Sequence, residues 1–160
     1  MIEPRRRKAG FTLIELLVVI AIIGLLSTLA VVALNSARQR SRDAKRVSDI
    51  SQIQTAFELA FSEVGNYPTA SGLVLGGTSS KVFCNVGNAP TFQATASGCS
   101  TVYMGLVPSN PSPNGADYVY TSATASGLYS LTFTLEGATG QLAAGANCAN
   151  QNGIQAGSSC

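Results

Sequence analysis

Between Phe11 and Leu34 the chain reads FTLIELLVVIAIIGLLSTLAVVAL, 24 residues that carry a single charge, Glu15. A helix rising 1.5 Å per residue would stretch this run over about 36 Å, enough for a hydrocarbon core of roughly 30 Å with some tilt. Ahead of it stands MIEPRRRKAG, a short basic leader that ends in a small residue immediately before the apolar segment. A secretory signal has the opposite order, an apolar region of about 7 to 15 residues followed by a small-residue cleavage site. A cut between Gly10 and Phe11 removes the charged leader, keeps the whole apolar helix on the product, and makes Phe11 the new N-terminus. Val31-Val32-Ala33 also fits a secretory site, and cleavage there releases a soluble domain.

The rest of the chain has a different character. Nine of the ten Lys and Arg residues lie at or before Arg46, and from Thr69 onward the only charged side chains are Lys81, Asp117 and Glu136. A basic front and a nearly uncharged rear imply two regions in different surroundings. At 160 residues the length suits one domain plus an anchor. Cys84, Cys99, Cys148 and Cys160 all fall in the rear with no C-x-x-C spacing, and the chain has no histidine, so disulfides outside the cytoplasm are a better reading than zinc. Neighbours in sequence suggest Cys84 with Cys99 and Cys148 with Cys160, although four cysteines permit three pairings and all three stay open. Without histidine no Ser-His-Asp or Cys-His arrangement can be built, and Asp117 and Glu136 are too sparse for an acid/base pair. The sequence therefore nominates no catalytic residue, no cofactor and no metal, and predicts that the protein is not an enzyme.

Beyond Leu34 the helical pattern runs without Pro or Gly to Val64, with Val47, Ile50, Ile53, Phe57, Ala60, Phe61 and Val64 at three- and four-residue spacing on one apolar face. Gly65 suits a C-terminal cap and Pro68 lies just past it. The cluster Arg38, Arg40, Arg42, Lys45 and Arg46, interleaved with Asp43 and Asp49, reads as a solvated helix face with weak local pairs, Asp43 with Arg46 and Lys45 with Asp49. Its functional versions are contact with lipid phosphates before assembly or binding of DNA, and the absence of interleaved aromatics speaks against DNA. Four basic residues precede the span and five follow it, so charge bias alone does not orient it. In the rear, Tyr129, Leu131, Phe133 and Leu135 alternate with Ser130, Thr132 and Thr134, which predicts a half-buried strand. Tyr118–Thr121 is its expected partner through a turn at Ser126-Gly127. The regions around 70–80 and 105–115 read as loops, and the tail from Gly145 as floppy without its disulfide. The result is an α+β expectation: a long N-terminal helix, half transmembrane and half amphipathic, packed on a small antiparallel sheet.

The string Lys8-Ala9-Gly10-Phe11-Thr12-Leu13-Ile14-Glu15-Leu16 resembles the class III signal of type IV pilins and pseudopilins. Over residues 5 to 68 the likeness is good, and Val107-Pro108, Asn110-Pro111 and Tyr118-Val119-Tyr120 give a weaker echo of pilin heads. The resemblance implies a leader over 1–10, an assembly half over 11–34, an amphipathic half over 35–65 and a β-rich head over 66–160. It also implies that a prepilin peptidase cuts after Gly10 and methylates Phe11, and that Glu15 serves subunit docking. The implied partners are copies of the chain itself in a helical homopolymer, the assembly platform with its ATPase motor, and membrane lipid before assembly. The protein is then a single-pass protein of the cytoplasmic membrane first and part of an extracellular pilus afterwards. Related pseudopilins that bind calcium draw attention to Glu136-Gly137, although few oxygen ligands are visible there.

Glu15 has two compatible readings. Thr12-Leu13-Ile14-Glu15 fits a capping box, in which the glutamate accepts from the N-cap backbone N–H. A carboxylate at membrane depth costs about 2.5 to 3.5 kcal/mol and is rarely kept without a partner, and a positive Phe11 terminus in an apolar filament core supplies one. Three functions follow: a pilus subunit, a pseudopilin of a secretion or DNA-uptake machine, or a membrane-anchored binding domain that does not polymerise.

Overall fold

The computed structural model describes residues 10–122 and 128–160. The chain divides after Arg38 into two units, and one helix, α1 (Leu13–Val64), contributes to both. In the first unit the helix starts where the sequence predicts. It continues unbroken through Gly24, where Ser27 Oγ and Thr28 Oγ1 return hydrogen bonds to the carbonyls of Ile23 and Leu25 at 2.7 and 2.8 Å. Its apolar side chains from Leu13 to Leu34 are all exposed, and the segment is long and apolar enough to cross a membrane.

The second unit, Gln39–Cys160, holds the rest of α1 and eight strands. Ile50, Ile53, Ala56, Phe57 and Ala60 are buried, so the expected helix face is the core face. Phe61 sits at its margin, 37 % exposed and stacked on Tyr67 at 4.8 Å. The helix ends at Val64 with Gly65 in the left-handed region (φ 75°), its N–H donating to Phe61 O at 2.8 Å.

Strands β1 (Ala70–Val74), β5 (Val119–Ser122), β6 (Ser130–Leu135), β7 (Gly145–Asn150) and β8 (Gly153–Ala156) form an antiparallel sheet in the order β1-β5-β6-β7-β8. Pairing of Val119 with Thr132 and Tyr120 with Leu131 joins β5 to β6, and Leu131, Phe133 and Leu135 face inward as their alternation predicts. The expected turn at Ser126-Gly127 lies outside the described residues. A second antiparallel sheet, order β3-β2-β4, is built from β2 (Val82–Val86), β3 (Ala89–Gln93) and β4 (Thr101–Met104). The head thus has two sheets where one was expected.

One loop expectation is corrected. Residues 70–74, expected as loop, form an edge strand paired to β5. The tail beyond Gly145 is the β7–β8 hairpin, held by main-chain bonds to β6 and also closed by the Cys148–Cys160 bridge on which the expectation made its order depend. The segment 105–115 contains no strand.

The core is aromatic. Phe57 meets Phe83, Phe92, Tyr120 and Tyr129 with ring centroids 5.0–6.0 Å apart, mostly edge to face, so this one side chain touches both sheets. Cys84 on β2 is bonded to Cys99 in the loop before β4, and Cys148 on β7 to the terminal Cys160. The first bridge closes 15 residues, a loop whose cross-link is worth about 3 kcal/mol by chain entropy. Replacing Cys84 and Cys99 together by serine is expected to lower unfolding stability by about that amount, read as a lower urea midpoint with a slope that rises as the freed denatured chain exposes more surface.

Candidate functional site

The first site is the start of α1. Thr12 is the N-cap: Glu15 N–H donates to Thr12 Oγ1 at 3.3 Å, while Thr12 N–H and its hydroxyl donate to Glu15 Oε2 at 2.9 and 2.8 Å. This is the reciprocal capping box the spacing predicts. Both of these bonds end on one carboxylate oxygen. Oε1 has no hydrogen-bond partner among the described residues, so the cap leaves Glu15 half its acceptor capacity. Gly10 precedes the helix in a stretch without regular structure, and Phe11 is 86 % exposed. A cut between them meets no secondary structure.

The second site is one that sequence reasoning placed wrongly. The predicted solvated basic face is instead the best-buried polar cluster in the head. Arg46 is fully buried, and Asp43 and Asp49 nearly so; Arg38 and Arg40 stay exposed. Arg46 Nη1 donates to Asp43 Oδ1 at 2.6 Å and to Glu136 Oε1 at 2.8 Å, and its Nε donates to Asn110 Oδ1 at 2.8 Å. Arg46 Nη2 completes the set on the carbonyls of Pro111 and Asn114. Arg42 adds a two-pronged pair to Glu136 at 2.7 and 2.6 Å. The Arg42 hydrogen bonds hold the Glu136 carboxyl well below the usual carboxylate range; burial opposes them, and the hydrogen bonds from Asn114 and Arg46 add lesser lowering effects. Asp43 accepts in turn from the backbone N–H groups of Glu136 and Gly137 at 3.0 and 2.9 Å. Lys45 pairs with Asp49 as expected, and Asp49 also takes the Tyr118 hydroxyl at 3.1 Å.

This network ties α1 to the segment 110–115 and to the end of β6. Gly115 makes the closeness possible: its φ is 97°, and a Cβ there would lie 2.8 Å from Arg46 Nη2. The idea of calcium at Glu136-Gly137 does not fit these residues. Guanidinium groups occupy both oxygens of Glu136, and the Gly137 N–H points to Asp43, so the positive charge a cation would bring is already supplied by side chains. No cluster of three or more His, Cys, Asp or Glu suited to a metal is found among the described residues. The signal for the cluster was present in the sequence as Asp43 and Arg46 three apart and Glu136 nearly alone in an uncharged head.

The start of the chain matches the family described as "Prokaryotic N-terminal methylation motif" over residues 5–31. The chain is 32% identical over 126 residues to the type II secretion system core protein G of Escherichia coli (strain K12), covering 78% of this chain and 79% of that one. It belongs to the type IV pilin and pseudopilin family. Other relatives align over the N-terminal part of this pilin-like chain. The core protein G of Aeromonas hydrophila is 38% identical over 65 residues, 41% of this chain and 46% of that protein. The type IV major pilin protein PilA of Myxococcus xanthus (strain DK1622) is 39% identical over 65 residues, 41% of this chain and 29% of that one. This chain therefore spans less than half the length of several of these relatives. No solved structure gives a significant match. The family is one of structural pilin and pseudopilin subunits.

Proposed function

We propose that this chain is the subunit of a type IV pilus, freed of residues 1–10 by a prepilin peptidase that cuts after Gly10 and methylates Phe11. The observation that carries the reading is the first turn of α1, an exposed apolar helix that begins at Leu13, after Gly10, Phe11 and the N-cap Thr12, with Glu15 engaged in the cap through one oxygen only. The free oxygen is available to the positive amino terminus of Phe11, its own or that of a neighbouring subunit. In an apolar filament core such a pair is weakly screened and fixes the axial alignment of subunits. Before assembly the protein spans the cytoplasmic membrane once, among lipid. Assembly by a platform and ATPase motor then moves the greasy helix from lipid into a bundle of its own copies outside the cell.

Glu15→Gln separates capping from charge pairing, because glutamine still serves a capping box. The variant is expected to be made and cleaved normally while filament yield drops about tenfold or more, the effect of losing a charge-assisted contact of about 1.5–3 kcal/mol per subunit. Normal yield of sheared filaments from Glu15→Gln cells contradicts the charge-pair account.

A second reading, pseudopilin of a type II secretion system, is favoured by the match to the Escherichia coli core protein G over 78% of this chain and 79% of that one. The two share the N-terminal chemistry and differ in polymer length. Long surface fibres containing this chain at its normal expression level support the pilus, and their absence alongside a secretion defect on deletion supports the pseudopilin.

A further inference from the structure

The two disulfides are fastened into the head in different ways. Each has one sulfur out of reach, because Cys84 on β2 and Cys148 on β7 are fully buried. Their other ends differ. Cys99 is half-buried, whereas Cys160 is exposed and lines a groove of about 240 Å³ with Thr121, Leu128 and Ser130. A small thiolate that attacks the second bridge therefore comes in from the Cys160 side.

What keeps the sulfurs together after a bond is cut differs as well. Ser100, next to Cys99, donates its N–H and its hydroxyl to Asn85 O at 2.9 and 3.0 Å, and Thr101 pairs with Asn85 in the β2–β4 ladder. Cys99 thus stays beside Cys84, and the bond re-forms between thiols already in place. Cys160 has no such clamp. The last main-chain bond before it runs from Gly157 N–H to Ala146 O at 3.1 Å, and residues 157–160 are all exposed. Ser158, Ser159 and Cys160 make no hydrogen bond among the described residues. Once cut loose they can swing away, which lowers the effective concentration of the Cys160 thiol at Cys148. β7 does not need the bridge, since Cys148 lies in two ladders, opposite Thr132 of β6 and Gln155 of β8.

We propose that Cys148–Cys160 is a thiol–disulfide exchange site for small thiols and dithiols, which couple to Cys160 while Cys84–Cys99 stays closed. A thiolate attacks Cys160 Sγ, the bond to Cys148 breaks, and Cys148 leaves as a thiolate that takes a proton from water. The product is a mixed disulfide on Cys160. A dithiol goes one step further: its second thiolate attacks the mixed disulfide, frees Cys160 as a thiol and departs as its own disulfide, so the reagent gives up the two electrons the bridge takes. The leaving sulfur is buried in both bridges and favours neither. Access and the missing clamp make the difference, as exposed disulfides are the labile ones. The site belongs to the head and is independent of whether the chain polymerises.

The test uses the full chain in detergent without denaturant, equilibrated with stepped dithiothreitol, quenched with acid and mapped by peptide mass. Cys148–Cys160 is expected to be half open at a dithiothreitol concentration at least about fivefold below that for Cys84–Cys99. Hydrogen exchange at the β7 amides is expected to stay unchanged while this bridge alone is open. With glutathione as the probe, the added glutathionyl group is expected on Cys160 and not on Cys148. A smaller gap, the reverse order, no opening short of unfolding, glutathione on Cys148, or lost protection of β7 on opening overturns the assignment.

Discussion

Arg46→Ala is expected to lower the unfolding stability of the head by about 3–5 kcal/mol, the cost of removing one partner from a buried ionic set and leaving the others unpaired. Five acceptors turn on this one guanidinium: Asp43, Glu136, Asn110 and the carbonyls of Pro111 and Asn114. The size follows from burial. Side-chain exposure is 0% for Arg46 and 2% for Asp43, so solvent does little to compensate either charge when the other is gone. An exposed pair of the same geometry would be worth only about 0–1 kcal/mol. Arg46→Lys should recover little, because an ammonium has three donors on a point charge and cannot reach acceptors spread around a planar fork. Urea unfolding of the detergent-solubilised chain, followed by tyrosine fluorescence, reads the loss. A change below about 1 kcal/mol for Arg46→Ala would return the cluster to the weak solvated face its composition suggests.

Phe57→Ala is expected to cost a similar amount, about 3–5 kcal/mol, for a different reason. The ring is fully buried and lies against Phe83 and Phe92 of one sheet, Tyr120 of the other and Tyr129 just before β6. Its removal leaves a cavity at the point where the helix meets both sheets, and aromatic pair terms of about 0.5–1.5 kcal/mol beyond area burial are lost with it. Phe57→Leu keeps most of the volume and should cost under about half as much. The same urea series decides it: equal losses for alanine and leucine would show that ring geometry, not filled volume, sets the stability at this position.

How far these features could be read in advance depends on how local their cause is. The apolar run, the T-x-x-E cap, the core face through Ile50, Ile53 and Phe57 and the Gly65 stop depend on spacing along one helix, and each stands where its spacing puts it. The pairing of β5 with β6 was legible because Leu131, Phe133 and Leu135 alternate with threonines. By contrast β7, GANCAN, has no apolar alternation, and it is a strand because β6 and β8 flank it with ladders of main-chain bonds. Strand β1 likewise owes its state to β5, nearly fifty residues away. The Arg46 cluster was misjudged because its burial is made by Glu136, 90 residues on, and by a segment brought close through Gly115. Local charge pattern carries no record of either. At the N-terminus the sequence motif names Gly10, Phe11 and Glu15, and the structure adds that one oxygen of Glu15 remains free after capping.

The most direct test of the assembly account is intact mass and N-terminal sequencing of the chain recovered from sheared surface filaments. The account predicts a species that begins at Phe11, carries one added methyl group on its amino terminus and keeps both disulfides closed. Material that is monomeric and still bears residues 1–10, or that starts beyond Ala33, contradicts it.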